Sequence, residues 1–517
     1  ASLVELEGNI SLQPTLAVDS SGRVIQAGTL TGQAISLTGT SIALNGTVNG
    51  TALALASSGG ISQAGTGALD ISTLSGSGSG IQLAGANSIG TLGALSASGN
   101  IVLDNTGTIT LGRAVSAGTS LALATNGLLE GAGGSLTAAT IALAPYSNGA
   151  IDLGGSSVAG LQLSQALVSA LSPAAVVVLG NANGHSASSI LTEGAVSFAN
   201  AMLSLDSTGG ITQTGTLTGT TINFNAASMA LNGLVNASLL NLSASSAITQ
   251  ASTGALNTAT ISGNGSNILL GGANTISTLN ALTATGTINL QDTAALNVNS
   301  AVSAAVITLA AAGLDLASQI SATGLAVLNS SGSLSQSGGG VNAGTLSGSI
   351  ASVANLDGTQ NSITTLTDFT AGGTLNLIDQ TALTQTGTIA GTSVTLAATG
   401  LALNGNVTAT DSAAGSLNLN STGSLSQSGT LSGNSISLSG TSIALDGIVD
   451  ATALNLDASA GISQAGTGVL SVTSLAGTGT PSGAILLGGT ANAIGTLGAL
   501  AAGQNILIAN ASTAVIA

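Results

Sequence analysis

Ile81-Gln82-Leu83, Ile101-Val102-Leu103, Leu121-Ala122-Leu123, Ile141-Ala142-Leu143 and Leu161-Gln162-Leu163 return at intervals of twenty residues. Each triplet sets two large aliphatic side chains around a variable middle residue, the alternation of a strand with one buried face. Between triplets stand clusters of Gly, Asn, Ser and Thr that punctuate the chain as turns, among them Leu44-Asn45-Gly46, Leu231-Asn232-Gly233, Leu403-Asn404-Gly405 and Leu445-Asp446-Gly447. Asn-Gly is also a signature of two-residue hairpins, and so of antiparallel structure. Return of one triplet at a fixed spacing favours the other arrangement, in which coils stack and like side chains form parallel ladders. The expected fold is all-β: a right-handed parallel β-helix (β-solenoid) with about 20 residues per coil, its hand set by the rule for parallel crossovers. The 517 residues then make roughly 26 coils and, at ~4.8 Å per coil, a rod near ~120 Å long. Leu83, Leu103, Leu123 and Leu143 are expected inside it.

Composition agrees with a narrow core. Only 4% of residues are charged and 1% aromatic, and 75 are Gly, so large side chains to fill a wide globular interior are lacking. Disordered chains are poor in aliphatics and rich in charge, whereas this one is 44% hydrophobic with a mean hydropathy of +0.58. Two Arg, no Lys and a formal charge of -16 argue against binding nucleic acid or an anionic membrane surface, which depends on cationic side chains. Zero Cys excludes disulfides and thiolate chemistry. The longest nearly apolar stretch, from Ala166 to Leu179, is interrupted by Ser169, Ser172 and Pro173 and is too short to span a bilayer. No membrane insertion is expected, and no signal peptide opens the chain.

A longer repeat overlies the coil. Leu16 to Val115 aligns without gaps onto Leu203 to Val302, a shift of 187, and a third copy begins near Leu417. The expected organisation is module 1 over 1–186, module 2 over 187–401 with a shortened extra copy, and a truncated module 3 over 402–517, all in one continuous rod. Two signposts recur. One is Ile-Ser-Gln or a variant, ending on Gln26, Gln63, Gln213, Gln250, Gln336, Gln385, Gln427 and Gln464; their spacings of 37 and more suggest that each serves its own turn. The other is Asn-Ser-Ile or a variant, with the Ile at 89, 276, 363 and 494. Between Leu161 and Gly180 the pattern breaks. Ser164 is placed to cap a short helix over 164–171, with Pro173 ending it and Val176-Val177-Val178 resuming strand.

The coil length, Asn87-Ser88-Ile89, and the passage from Leu163-Ser164 to Val176-Val177-Val178-Leu179-Gly180 resemble the repeat regions of filamentous haemagglutinin-type bacterial exoproteins, which are surface adhesins. The resemblance covers nearly the whole chain. It implies a right-handed β-helix displayed on the cell surface by two-partner secretion, although the family's N-terminal secretion module is not evident in these residues.

Enzymes on parallel β-helices commonly act on polysaccharides and need a cationic base or a pair of carboxylates at controlled separation. Arg23 and Arg113 are the only cationic candidates, and Gly210 and Ser300 replace them in the second copy. Asp446 and Asp450 correspond to Asn45 and Asn49 and to Asn232 and Asn236, an exchange that suits a turn and ruins an acid-base pair. Glu5 and Glu7 point to one strand face, but Leu191 stands opposite Glu5 in the second copy. His185, the only His, reads as a solvated loop residue, and Tyr146 follows Pro145 in a turn. No catalytic, cofactor-binding or metal residues are therefore expected, and the chain reads as a non-enzyme.

Two functional classes remain: an exported bacterial surface rod of adhesin type, its host or bacterial surface ligand unnamed by the sequence, and a self-assembling extracellular filament of stacked solenoids. Ice binding is a weaker third, suggested by Thr-Gly-Thr units starting at Thr38, Thr214, Thr218 and Thr386. A solenoid leaves strand edges at its ends. Val4 and Ile10 on one side and Ile506, Ile508 and Val515 on the other are expected to meet further coils or neighbouring copies of the chain.

Overall fold

The computed structural model describes residues 2–171 and 174–517, and strands make up nearly all of it. Contacts group the chain into two units, Ala1–Gly265 and Ser266–Ala517. Each is a stack of parallel coils, a β-solenoid with about 20 residues per turn.

One coil shows why this composition suffices. Strand Ile101–Leu111, which bends midway, is followed by strand Ala114–Ala117. Ile101, Leu103, Ile109, Leu111, Val115 and Ala117 point inward and are buried, while Val102, Thr110 and Ser116 between them are not. Three short segments thus contribute two inward aliphatic side chains each. Along the stack, Leu83 lies beside Leu103, Leu103 beside Leu123 and Leu123 beside Leu143, each no more than 2% exposed. The ladder continues through Leu179, Leu205, Phe224 and Leu242. In the second unit, Leu270, Leu290, Leu309 and Leu328 form another. Each such Leu is worth ~1.5–3 kcal/mol of burial, and the ladder hydrogen bonds satisfy the backbone around it.

The fifth triplet departs from the expected series. Ile141 pairs with Val177, 36 positions on, and not with Leu161. Leu161-Gln162-Leu163 instead lies parallel to Ile151-Asp152-Leu153, whose other side pairs with Ile190-Leu191-Thr192. The chain makes an excursion here, and its strand keeps the twenty-residue spacing only because it too buries alternate Leu side chains. Helix α1 (Gln165–Ala170) lies in this excursion, where Ser164 Oγ accepts a hydrogen bond from the Leu167 N–H at 3.2 Å as its N-cap. Leu167 and Val168 are its buried face. Pro173, expected to end the helix, and Ser172 lie outside the described residues.

Asn-Gly plays two parts. At Asn183-Gly184 both residues have positive φ, 50° and 83°, which matches a type I′ turn, and the flanking residues form an antiparallel hairpin, Asn181 with Ser186 and Ala182 with His185. The Asn-Gly pairs named in the sequence serve parallel coils instead. The amide of Gln26 donates to the carbonyls of Gly28 and Thr47 and accepts from the Gly46 N–H. Gln213, Gln385 and Gln427 repeat this arrangement with Gly233, Gly405 and Gly447. A Cβ on Gly46 would overlap the Gly28 carbonyl oxygen and stand 2.6 Å from Gln26 Nε2, so the glycine is required by both the backbone and the amide of the coil before it. The expectation that each Gln serves only its own turn is corrected: these side chains tie each coil to the next, because the buried amide has more capacity than one turn can satisfy.

A second group of Gln pairs with the Asn of the other signpost. Gln63 exchanges two hydrogen bonds with Asn87, and Gln336 does the same with Asn361 and Gln464 with Asn492. Each Asn is fully buried. Asn361 also accepts from the Val341 N–H at 2.8 Å and donates to the carbonyls of Leu356 and Ile378, both at 2.9 Å.

Candidate functional site

In a chain with so few charges, the one salt-bridge contact among the described residues marks the most unusual cluster. Asp104 follows the inward Leu103 at a strand bend and is only 4% exposed. The Asn181–Ser186 hairpin reaches over it. Asn183 Nδ2 lies 2.9 and 2.8 Å from the two carboxylate oxygens of Asp104, and His185 Nε2 lies 3.4 Å from Oδ2. His185 Nδ1 is 2.8 Å from the Tyr146 carbonyl, which can only accept, so that nitrogen carries the hydrogen. The Tyr146 and His185 rings pack with centroids 4.6 Å apart. His185 is thus not the solvated loop residue expected from the sequence. Its side chain is 23% exposed because the excursion folds the hairpin back over the coils. Asp104 is engaged by amide donors, and the cluster's evident work is to fasten the hairpin.

Three other carboxylates are partly withdrawn from water. Burial pushes Asp206, Asp292 and Asp379 above the usual carboxylate range, against the opposing effect of their hydrogen bonds. Two of them belong to a recurring device. The N–H groups of Ile89, Ile276, Ile363 and Ile494 donate respectively to Asn105, Asp292, Asp379 and Asn510 in the following coil. Asn and Asp do the same work at equivalent places, which marks the role as structural.

The residues weighed from the sequence are dispersed. Arg23, Arg113, Glu5, Glu7, Asp446 and Asp450 are all exposed. Asp446 accepts from the Ala465 N–H at 2.9 Å and Asn232 from the Ala251 N–H at 3.1 Å, one turn role in two copies. Along the stack Thr38 lies between Asp19 and Ala56, and Thr218 between Ser197 and Asn236. These Thr-Gly-Thr units therefore do not stack into Thr ranks. Val4, Ile10 and Ile508 are half-buried, while Ile506 is 45% and Val515 65% exposed.

The outer faces carry ranks of small polar side chains. Thr31, Asn49 and Asp70 follow one another in the first unit, as do Thr218, Asn236 and Asn257. In the second unit, Ser432, Asp450 and Ser471 form the corresponding rank. They line an open groove of about 860 Å³ together with Thr410, Asn434 and Thr452. Among the described residues no helix is long and apolar enough to cross a membrane. The cluster around Asp104 was not foreseeable, because its members lie about 80 residues apart and only the excursion brings them together. In comparisons with known proteins, no family model, no curated protein and no solved structure matches this chain.

Proposed function

We propose that the chain is an extracellular rod of adhesin type, exported to the surface of a bacterial cell and acting as a stalk in attachment or cell–cell contact. The observation that carries this reading is the repetition of its outer surface. Hydroxyl and amide ranks such as Thr31-Asn49-Asp70 and Ser432-Asp450-Ser471 recur from coil to coil. A surface built by repetition suits spacing and multivalent weak contact better than chemistry at one point. Buried carboxylates shared with Asn at equivalent positions, and exposed acidic residues held in turns, support a structural use of the few charged groups.

The test is adhesion. Beads coated with the purified chain should be retained on bacterial or host cells more than beads coated with an unrelated acidic protein of similar charge, and soluble chain should compete. Retention equal to the control on every cell type tried would overturn the adhesin reading. Long unbranched fibres in micrographs of the same preparation would favour the filament instead.

A further inference from the structure

The excursion begins at an unusual pair of carboxylates, separate from the Asp104 cluster. Asp152, at the end region of strand Ala150–Leu153, is 0% exposed. Its Oδ2 accepts from the N–H groups of Ser157 at 2.6 Å and Val158 at 3.2 Å. Its Oδ1 is buried with no hydrogen-bond partner. Glu193, just beyond strand His185–Thr192, turns its carboxylate to the same spot. A Cβ built on Gly155 would overlap Glu193 Oε2 and stand 2.8 Å from Asp152 Oδ1. The glycine thus leaves a small cradle between two carboxylate oxygens, and no Lys or Arg forms a salt bridge with either among the described residues.

We propose that this cradle binds a hard divalent cation, calcium, between Asp152 Oδ1 and Glu193 Oε2. A buried carboxylate oxygen without a partner destabilises the fold, and a second carboxylate beside it adds to that penalty. One cation removes both penalties. The geometry around Gly155 holds the two oxygens within about 5 Å, the span that a calcium ion bridges with two Ca–O contacts of ~2.4 Å. Calcium accepts a small and irregular set of protein oxygens, whereas magnesium requires a strict octahedron. Two carboxylates set a modest affinity, on the order of 10⁻⁴–10⁻³ M as in extracellular modules. The bound ion ties the loop over 154–159 to the turn after Thr192, and so closes the base of the excursion. This inference does not rest on the adhesin reading, and either can fail alone.

The experiment uses the purified full chain, washed with chelator and titrated with CaCl₂ at pH 7 against NaCl of matched ionic strength, by calorimetry and thermal melting. One calcium per chain with a dissociation constant on the order of 10⁻⁴–10⁻³ M is expected, with a raised melting temperature. Glu193→Gln keeps the Asp152 contacts to Ser157 and Val158, and Gly155→Ala fills the cradle while leaving both charges. Each should weaken binding at least tenfold with unchanged far-ultraviolet circular dichroism, and Glu5→Gln, on an exposed residue, should not. No calcium uptake beyond the NaCl control, wild-type affinity in Glu193→Gln, or carboxyl-carbon resonances showing one proton shared by Asp152 and Glu193 at pH 7 with no uptake would each overturn the proposal.

Discussion

Replacing Asn361 by Ala removes the centre of a buried network whose cost can be worked from its bonds. Three backbone groups lose their partner, the Val341 N–H and the carbonyls of Leu356 and Ile378, and the amide of Gln336 keeps only the Gly358 N–H on its Oε1. Each unmade buried bond costs ~1–3 kcal/mol. The three backbone groups alone sum to about 3–9 kcal/mol, and water entering the vacated space brings the value toward the lower end. For a unit of this size a loss of ~3 kcal/mol lowers the melting temperature by roughly 6–12 °C. Gln336→Ala leaves the backbone bonds of Asn361 in place, unpairs one backbone group, the Gly358 N–H, and should cost less, about 1–2 kcal/mol. Thermal melting gives the order of the two variants, and hydrogen exchange at the Val341 amide localises the loss. If Asn361→Ala melts with the wild type and Val341 stays protected, or if Gln336→Ala is the more damaging, the buried amide does not hold the coils together as argued.

Leu103→Asp would place an unpaired charge in a core flanked by Leu83 and Leu123 and should unfold neighbouring coils, seen as lost strand signal in circular dichroism; unchanged melting would place Leu103 outside. Asp292 and Asp379 are held above the usual carboxylate range by burial. Their contribution is therefore full below the unfolded value of ~3.9 and is lost as pH rises through the folded value. Denaturant midpoints should fall as pH rises above about 4 on their account, and the Asp292→Asn, Asp379→Asn double variant should flatten that slope; an unflattened slope refutes the assignment. Asp104→Ala should free the Asn181–Ser186 hairpin and speed proteolysis near Asn183-Gly184 with little change in global melting, whereas equal cleavage rates would show that Asp104 does not fasten it. With almost no ion pairs, stability should vary little between 50 mM and 500 mM NaCl, and a strong salt dependence in melting would contradict this.

The coil and its inward residues were legible because two periods coincide. Alternation put Leu83, Leu103, Leu123 and Leu143 on one face, and recurrence every twenty residues stacked them. The capped helix was readable from Ser164 for a local reason, since an N-cap reports on the next three residues. Leu161 was misplaced because spacing and alternation cannot show that a strand has moved to the other side of its neighbour. Asn183-Gly184 differs from Asn45-Gly46 only in what surrounds it, a Gln amide in one case and a returning strand in the other. The approach of Asp152 to Glu193, like that of Asp104 to His185, depends on the path of the excursion, which no local pattern encodes.

The direction of the ladder bonds governs how such a molecule meets force. In a parallel solenoid they point along the stack, so a pull applied along it loads the outermost rung first and peels one coil before straining the next. Tension is then capped at the strength of a single turn, and each ordinary coil of twenty residues pays out ~65–70 Å of slack as it yields. The 36-residue turn between Ile141 and Val177 stores roughly 120 Å if its helix unravels as well. Under load each unit is a series of fuses of similar length, the first with one oversized link, and it lengthens step by step where a rigid rod would break at once.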